Sequence, residues 1–247
     1  MTKYVHEVFK NAPIVEALLD IQVEVPESTP YSRLDDFYAE IKDIFPHRHE
    51  RKKVDIEFSA KDEEVRKTVS KIGFSFKSES FPEVVQARLT GFSFSRLKPY
   101  KNWPKLRDDS GALWQIYREI LKPDKVTKLG LRYINRIEIP LPMSDLDEYV
   151  LTNPKIAPSL PQDVNDMFMR LVIPDVERDS VGVVILTIDE MTPESKTLPL
   201  IFDIDVFKYT NFEAASDEIW QIFESLCAQK NELFFHSVTE KAKGLWR

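Results

Sequence analysis

Four short words of this sequence occur twice, in the same order. Val23-Glu24-Val25-Pro26 has a counterpart in Ile137-Glu138-Ile139-Pro140, and Leu34-Asp35-Asp36-Phe37 has one in Leu146-Asp147-Glu148-Tyr149. Phe92-Ser93-Phe94-Ser95 matches Phe202-Asp203-Ile204-Asp205, and Trp114-Gln115-Ile116-Tyr117 matches Trp220-Gln221-Ile222-Phe223. One amphipathic word matches another easily by chance. Four in order do not, so the two halves are expected to fold alike.

Each half reads β-α-β-β-β-α. The first strand, residues 14–25, lies between Pro13 and Pro26 and ends in a clean alternation of apolar and polar residues. Leu34, Phe37, Ile41 and Ile44 then place an apolar stripe on a helix over residues 32–45, with Ser32 at its N-cap. Strands are predicted over residues 54–60, 71–79 and 84–97, followed by a loop with Pro99 and Pro104 and a helix over 109–121. The second half gives a strand over 129–140 and a short helix over 144–151, where Ser144 and Asp147 are spaced as in a capping box. Strands over 167–174, 181–191 and 198–207 and a helix over 215–229 complete it. Beyond the repeat, Ser237 caps a further helix.

The expected fold class is therefore α+β. It is a tandem duplication of one unit, each with a four-stranded antiparallel sheet and its helices on one face. Residues 1–124 are the first repeat, 125–230 the second, and 231–247 a C-terminal helical extension.

Composition narrows the chemistry. Six glycines in 247 residues leave little material for a phosphate-cradling loop, and no G-x-G-x-x-G, P-loop or G-x-S-x-G word occurs. Cys227 is the single cysteine, so neither an intramolecular disulfide nor a thiolate zinc site can form. A net charge of −7 disfavours generic binding to a nucleic-acid backbone. The apolar runs are too short to span a bilayer, and the first residues lack an apolar leader core. These features lead us to expect a cytoplasmic protein without membrane association, cofactor or catalytic residues.

Several words resemble a sporadically distributed prokaryotic protein family of about this length. They are Pro13-Ile14-Val15-Glu16-Ala17, Gly91-Phe92-Ser93-Phe94-Ser95, the run Leu129-Gly130-Leu131-Arg132 with Tyr133 to Arg136, Phe202-Asp203-Ile204-Asp205, and the tail from Phe234 to Trp246. The resemblance implies no activity, although sporadic distribution implies a toxin–antitoxin or defence setting. The order of elements in each half also resembles the SecB-type chaperone fold. That likeness implies two SecB-like units that bind non-native polypeptide without ATP.

Two groups of residues are candidate sites. Asp203 and Asp205, at i and i+2 on one strand, point to one face and could join Asp189 or Glu190 as an oxygen-rich metal site of a nuclease-type enzyme. Their counterparts Ser93 and Ser95 favour a solvated sheet face instead. The segment from Arg96 through Lys98 and Lys101 interleaves cations with Tyr100 and Trp103, a pattern suited to binding and, as an alternative, to nucleic acid. The leading expectation is a non-enzymatic polypeptide-binding protein, chaperone-like or antitoxin- and defence-associated. Its partner would be an unfolded client or a neighbour-encoded protein, and a homo-oligomer is possible. Tyr100, Trp103, Arg96, Lys98 and Lys101 would carry the binding.

Overall fold

The computed structural model describes residues 7–59, 64–162, 164–192 and 194–247, with the side chains of 55–59 and 64–67 left aside. In chain order the elements are β1 (Ile14–Glu24), α1 (Arg33–Ile41), β2 (His47–Ser59), β3 (Glu64–Lys77), β4 (Glu83–Arg88), β5 (Gly91–Leu97), α2 (Trp103–Leu121) and β6 (Lys125–Pro140). A 3-10 turn (Leu146–Glu148), β7 (Phe168–Asp175), β8 (Ser180–Ile188), β9 (Thr197–Glu213), α3 (Glu218–Ser237) and α4 (Glu240–Lys243) follow.

The fold is α+β. The nine strands form one antiparallel sheet in the order β2-β3-β4-β5-β1-β6-β9-β8-β7. The expected two four-stranded sheets are thus joined: β1 pairs with β6 along a central seam, with Leu19 opposite Leu131. The seam forms because both strands bury every second residue on the same face. Ala17, Leu19, Ile21 and Val23 do so on β1, and Leu129, Leu131 and Tyr133 on β6.

The helices cover that buried face. Phe37 of α1 and Tyr117 of α2 meet at 5.9 Å between ring centroids, and Tyr117 lies 5.7 Å from Phe92 of β5. Phe234 of α3 stacks on Phe202 of β9 at 6.0 Å. Burying this face is the main stabilising term of the fold, at about 25 cal/mol per Å² of apolar surface removed from water.

Four sequence expectations are corrected. Residues 84–97 are a hairpin, β4 and β5, so the first half holds a strand more than the reading gave it. The turn is set by Gly91 at φ +158°, where a Cβ would stand 2.6 Å from the Ile21 carbonyl oxygen. The helix expected from residue 109 starts at Trp103, because the Asn102 side chain accepts from the Lys105 amide and Pro104 suits the first turn. Ser144 and Asp147 cap no α-helix; a 3-10 turn stands there, with the Asp145 side chain accepting from the Asp147 amide. Finally, α3 runs on to Ser237, so residues 231–237 belong to it, and the last helix is capped by Thr239, not by Ser237.

Candidate functional site

A cleft of about 250 Å³ opens where the N-terminus of α2 meets the C-terminal half of α3. Tyr100, Lys101 and Trp103 line it, so three of the five residues singled out from sequence come together there. They serve as wall more than as an exposed loop. The Tyr100 hydroxyl lies 2.9 Å from that of Tyr133, and burial drives both phenols well above the usual tyrosine range. Trp103 is half-buried, with its ring 6.5 Å from Phe223.

Chain segments from both termini close one side. Phe9 packs 5.3 Å from Trp246 and 5.8 Å from Phe235, the Asn11 amide donates to the Trp246 carbonyl, and Arg247 grips Glu7 with contacts of 2.8 and 2.9 Å.

The back of the cleft holds Lys230, which sequence reading passed over. It is 9% exposed. Its ammonium sits 3.9 Å from the Tyr133 ring centroid and donates to its neighbour Asn231 Oδ1. Among the described residues no carboxylate pairs with it. Burial therefore lowers its pKa to about 8. Cys227, one turn earlier on α3, is pushed up by the same apolar surroundings, which makes it a poor nucleophile. The signal for Lys230 was present in the spacing. Phe223, Cys227, Lys230 and Phe234 fall four, three and four residues apart, so the lysine continues the apolar stripe of α3 inward.

The other candidate residues separate from this group. Arg96 lies on the helix-covered face, 5% exposed, and is held by Glu83 and by Asp109 of α2. It is an internal clamp and offers no free cation. Lys98 is exposed and is not among the residues that line the cleft.

The four carboxylates of the metal reading form no cluster, and Asp189 is held by Arg136. The Asp203 carboxylate, 5% exposed, is held by Arg132 through two bonds of 2.9 and 2.5 Å. Asp205 lies opposite Arg132 in the β6–β9 ladder, with burial raising its pKa. Glu190 is exposed past the end of β8. Among the described residues no three His, Cys, Asp or Glu side chains gather in a way that would hold a metal ion.

Phe92, Phe94, Phe202 and Ile204 are fully buried, as alternation requires. Ser93, Ser95 and Asp203 on the opposite face are buried as well. These short side chains sit between longer neighbours: Asp20 and Gln86 flank Ser93, and Leu18 and Val84 flank Ser95.

The two ends of the sheet differ sharply. The β2 edge begins His47-Arg48-His49-Glu50-Arg51-Lys52-Lys53, a charged row of the kind that blunts an open edge. The β7 edge reads Phe168-Met169-Arg170-Leu171-Val172-Ile173-Pro174-Asp175, and its apolar side chains face water: Phe168 is 70% exposed and Val172 52%. No helix in the described residues is long and apolar enough to cross a membrane.

No family model matches the chain, and no curated protein matches it. The fold and its surfaces define an α+β protein with one blunted and one open apolar sheet edge, and a cleft with a lysine at its back.

Proposed function

We propose that this is a non-enzymatic polypeptide-binding protein, and that an extended segment of another polypeptide pairs with the free edge of β7. One observation carries the reading. Among the described residues β7 ends the sheet with an unpaired backbone ladder, and it carries four exposed large apolar side chains, Phe168, Leu171, Val172 and Ile173. Such an edge is a template for a further strand: backbone hydrogen bonds supply affinity, and the alternating side chains supply selectivity. The charged β2 edge lacks the second property.

With this reading goes a tandem duplication of a SecB-like unit, chaperone-like or antitoxin- and defence-associated in use. Ladder registers support the duplication. The alignment that sets Val23 on Ile137 also sets Leu18 on Arg132, and those two residues stand opposite each other across the seam. It likewise sets Leu19 on Tyr133, and the match of Phe92 with Phe202 sets Phe94 on Ile204; Phe94 pairs with Leu19, and Ile204 with Tyr133. The Arg132–Asp203 pair and the Arg96 clamp then serve the fold, which leaves the binding work to uncovered apolar surface.

The test is backbone hydrogen exchange with a reduced, carboxymethylated unfolded protein as client. Amides of β7 should gain protection when client is added, while those of β2 stay unchanged. Absence of protection in β7 would overturn the reading. Protection that grows with the protein's own concentration, without client, would place a second copy on the edge instead.

A further inference from the structure

We propose that the cleft behind Trp103 binds a carboxylate carried on an apolar body, with Lys230 as its counter-ion. The inference is independent of the β7 edge.

The walls select for an apolar ligand. Phe9, Ile14, Trp103, Phe234 and Phe235 are among the residues that line it, and most of its surface is apolar. A volume of about 250 Å³ suits a body of about ten heavy atoms, judged against cavities of roughly 150 Å³ that hold a benzene ring.

The polar groups select for an acceptor. An ammonium has three donors. Lys230 spends one on Asn231, rests against the Tyr133 ring, and has no carboxylate partner among the described residues. Two other polar groups beside it are already paired. Asn135 Nδ2 donates to the Phe202 carbonyl at 2.9 Å, and the Tyr100 hydroxyl is paired with that of Tyr133.

The N-terminus of α2 is not the receptor, because Asn102 caps it and Pro104 has no N–H to offer. What remains is a cation that still has donors to give, in an apolar setting. Buried donors left so are costly, and a charged pair formed there is stronger than in water. A carboxylate brings two oxygens with about four acceptor positions. Glu7 also lies on the lining, but both of its oxygens are taken by Arg247, while exposed Lys101 adds a cation that favours an incoming anion.

This chemistry has two sources, a free aromatic or branched acid and the C-terminal residue of a polypeptide. Titration calorimetry with four probes separates them: 3-phenylpropionate, its primary amide, and a pentapeptide ending in Phe with either a free or an amidated C-terminus. At least one acid should bind at least tenfold more tightly than its amide. A response to the small acid alone assigns a metabolite-type ligand, and a response to the peptide acid alone assigns a chain terminus. In Lys230→Met, which keeps length and apolar packing, the preference for acid over amide should vanish. Binding of neither acid, equal affinity of acid and amide for the unaltered protein, or a preference that survives in K230M would each overturn the proposal. The comparison of acid with amide needs no variant, so it decides the matter even if K230M folds poorly.

Discussion

The Lys230 ammonium lies 3.9 Å from the centre of the Tyr133 ring, inside the protein and without a paired carboxylate among the described residues. A cation over an aromatic face gains about 2 kcal/mol when desolvated. That offsets part of the cost of burying the charge and leaves the rest.

The first expectation concerns that remainder. The pKa of Lys230 falls from 10.5 to about 8, a difference equivalent to about 3 kcal/mol of lost stability while the amine is charged. Below pH 8 both folded and unfolded chains hold the proton, and the full cost is present. Between pH 8 and 10.5 the folded chain releases its proton first, so the cost fades as pH rises. Lys230→Met should therefore be more stable at pH 7, with an advantage that shrinks toward pH 10. The neighbouring Cys227, Tyr100 and Tyr133 are shifted the opposite way and titrate in both proteins. Lys230 also holds the Cys227 thiol down, so the difference between the two melting profiles, measured by calorimetry from pH 7 to 10, reads the lysine together with its effect on that thiol.

Arg96 is expected to be structural. It sits at 5% exposure between Glu83 and Asp109. Arg96→Met leaves two carboxylates facing each other at the edge of the core and should cost about 3–5 kcal/mol. Denaturant unfolding measures this. Unchanged stability would return Arg96 to the surface cations.

Tyr100 and Trp103 should behave as wall residues. Tyr100→Phe removes one partner of the hydroxyl pair with Tyr133 and should cost about 1 kcal/mol. Trp103→Ala empties half-buried volume beside Phe223 and should cost about 2 kcal/mol, below the value for a fully buried tryptophan. Chemical denaturation of the two variants checks both figures. A Trp103→Ala protein as stable as the parent would mean that the side chain stands free as a docking residue.

Much of the fold could be read along the chain, because alternation and apolar stripes are local. The second half of β1 and the alternating face of β5 follow from period two, the bounds of β1 from Pro13 and Pro26, and α1 from Leu34, Phe37 and Ile41. The hairpin between β4 and β5 was hidden because Arg88-Leu89-Thr90-Gly91 interrupts neither polarity nor β-propensity strongly. The start of α2 was legible in Asn102 and Pro104, but two nearby prolines read more simply as a loop. Relations between distant residues had no local trace. The Arg96 clamp joins β5 to β4 and α2, and Asp203 meets Arg132 only once β6 lies beside β9. The openness of the β7 edge depends on where a strand falls in the sheet order, which Phe168 to Asp175 cannot announce by themselves. Lys230 was missed for a chemical reason, since a lysine inside an apolar stripe is ordinarily taken as the end of the buried face.

The polypeptide-binding account rests on the β7 edge, and a lysine placed there tests it most directly. Val172 is 52% exposed, so Val172→Lys should change stability by less than about 0.5 kcal/mol while setting a charge in the path of an added strand. The measurement is the affinity of the protein for a reduced, carboxymethylated client by fluorescence anisotropy, with His49→Lys at the opposite edge as control. The account predicts at least a tenfold loss of affinity for Val172→Lys, about 1.4 kcal/mol, and none for His49→Lys. Equal client affinity in Val172→Lys and the unaltered protein, or no client binding by the unaltered protein, would contradict it.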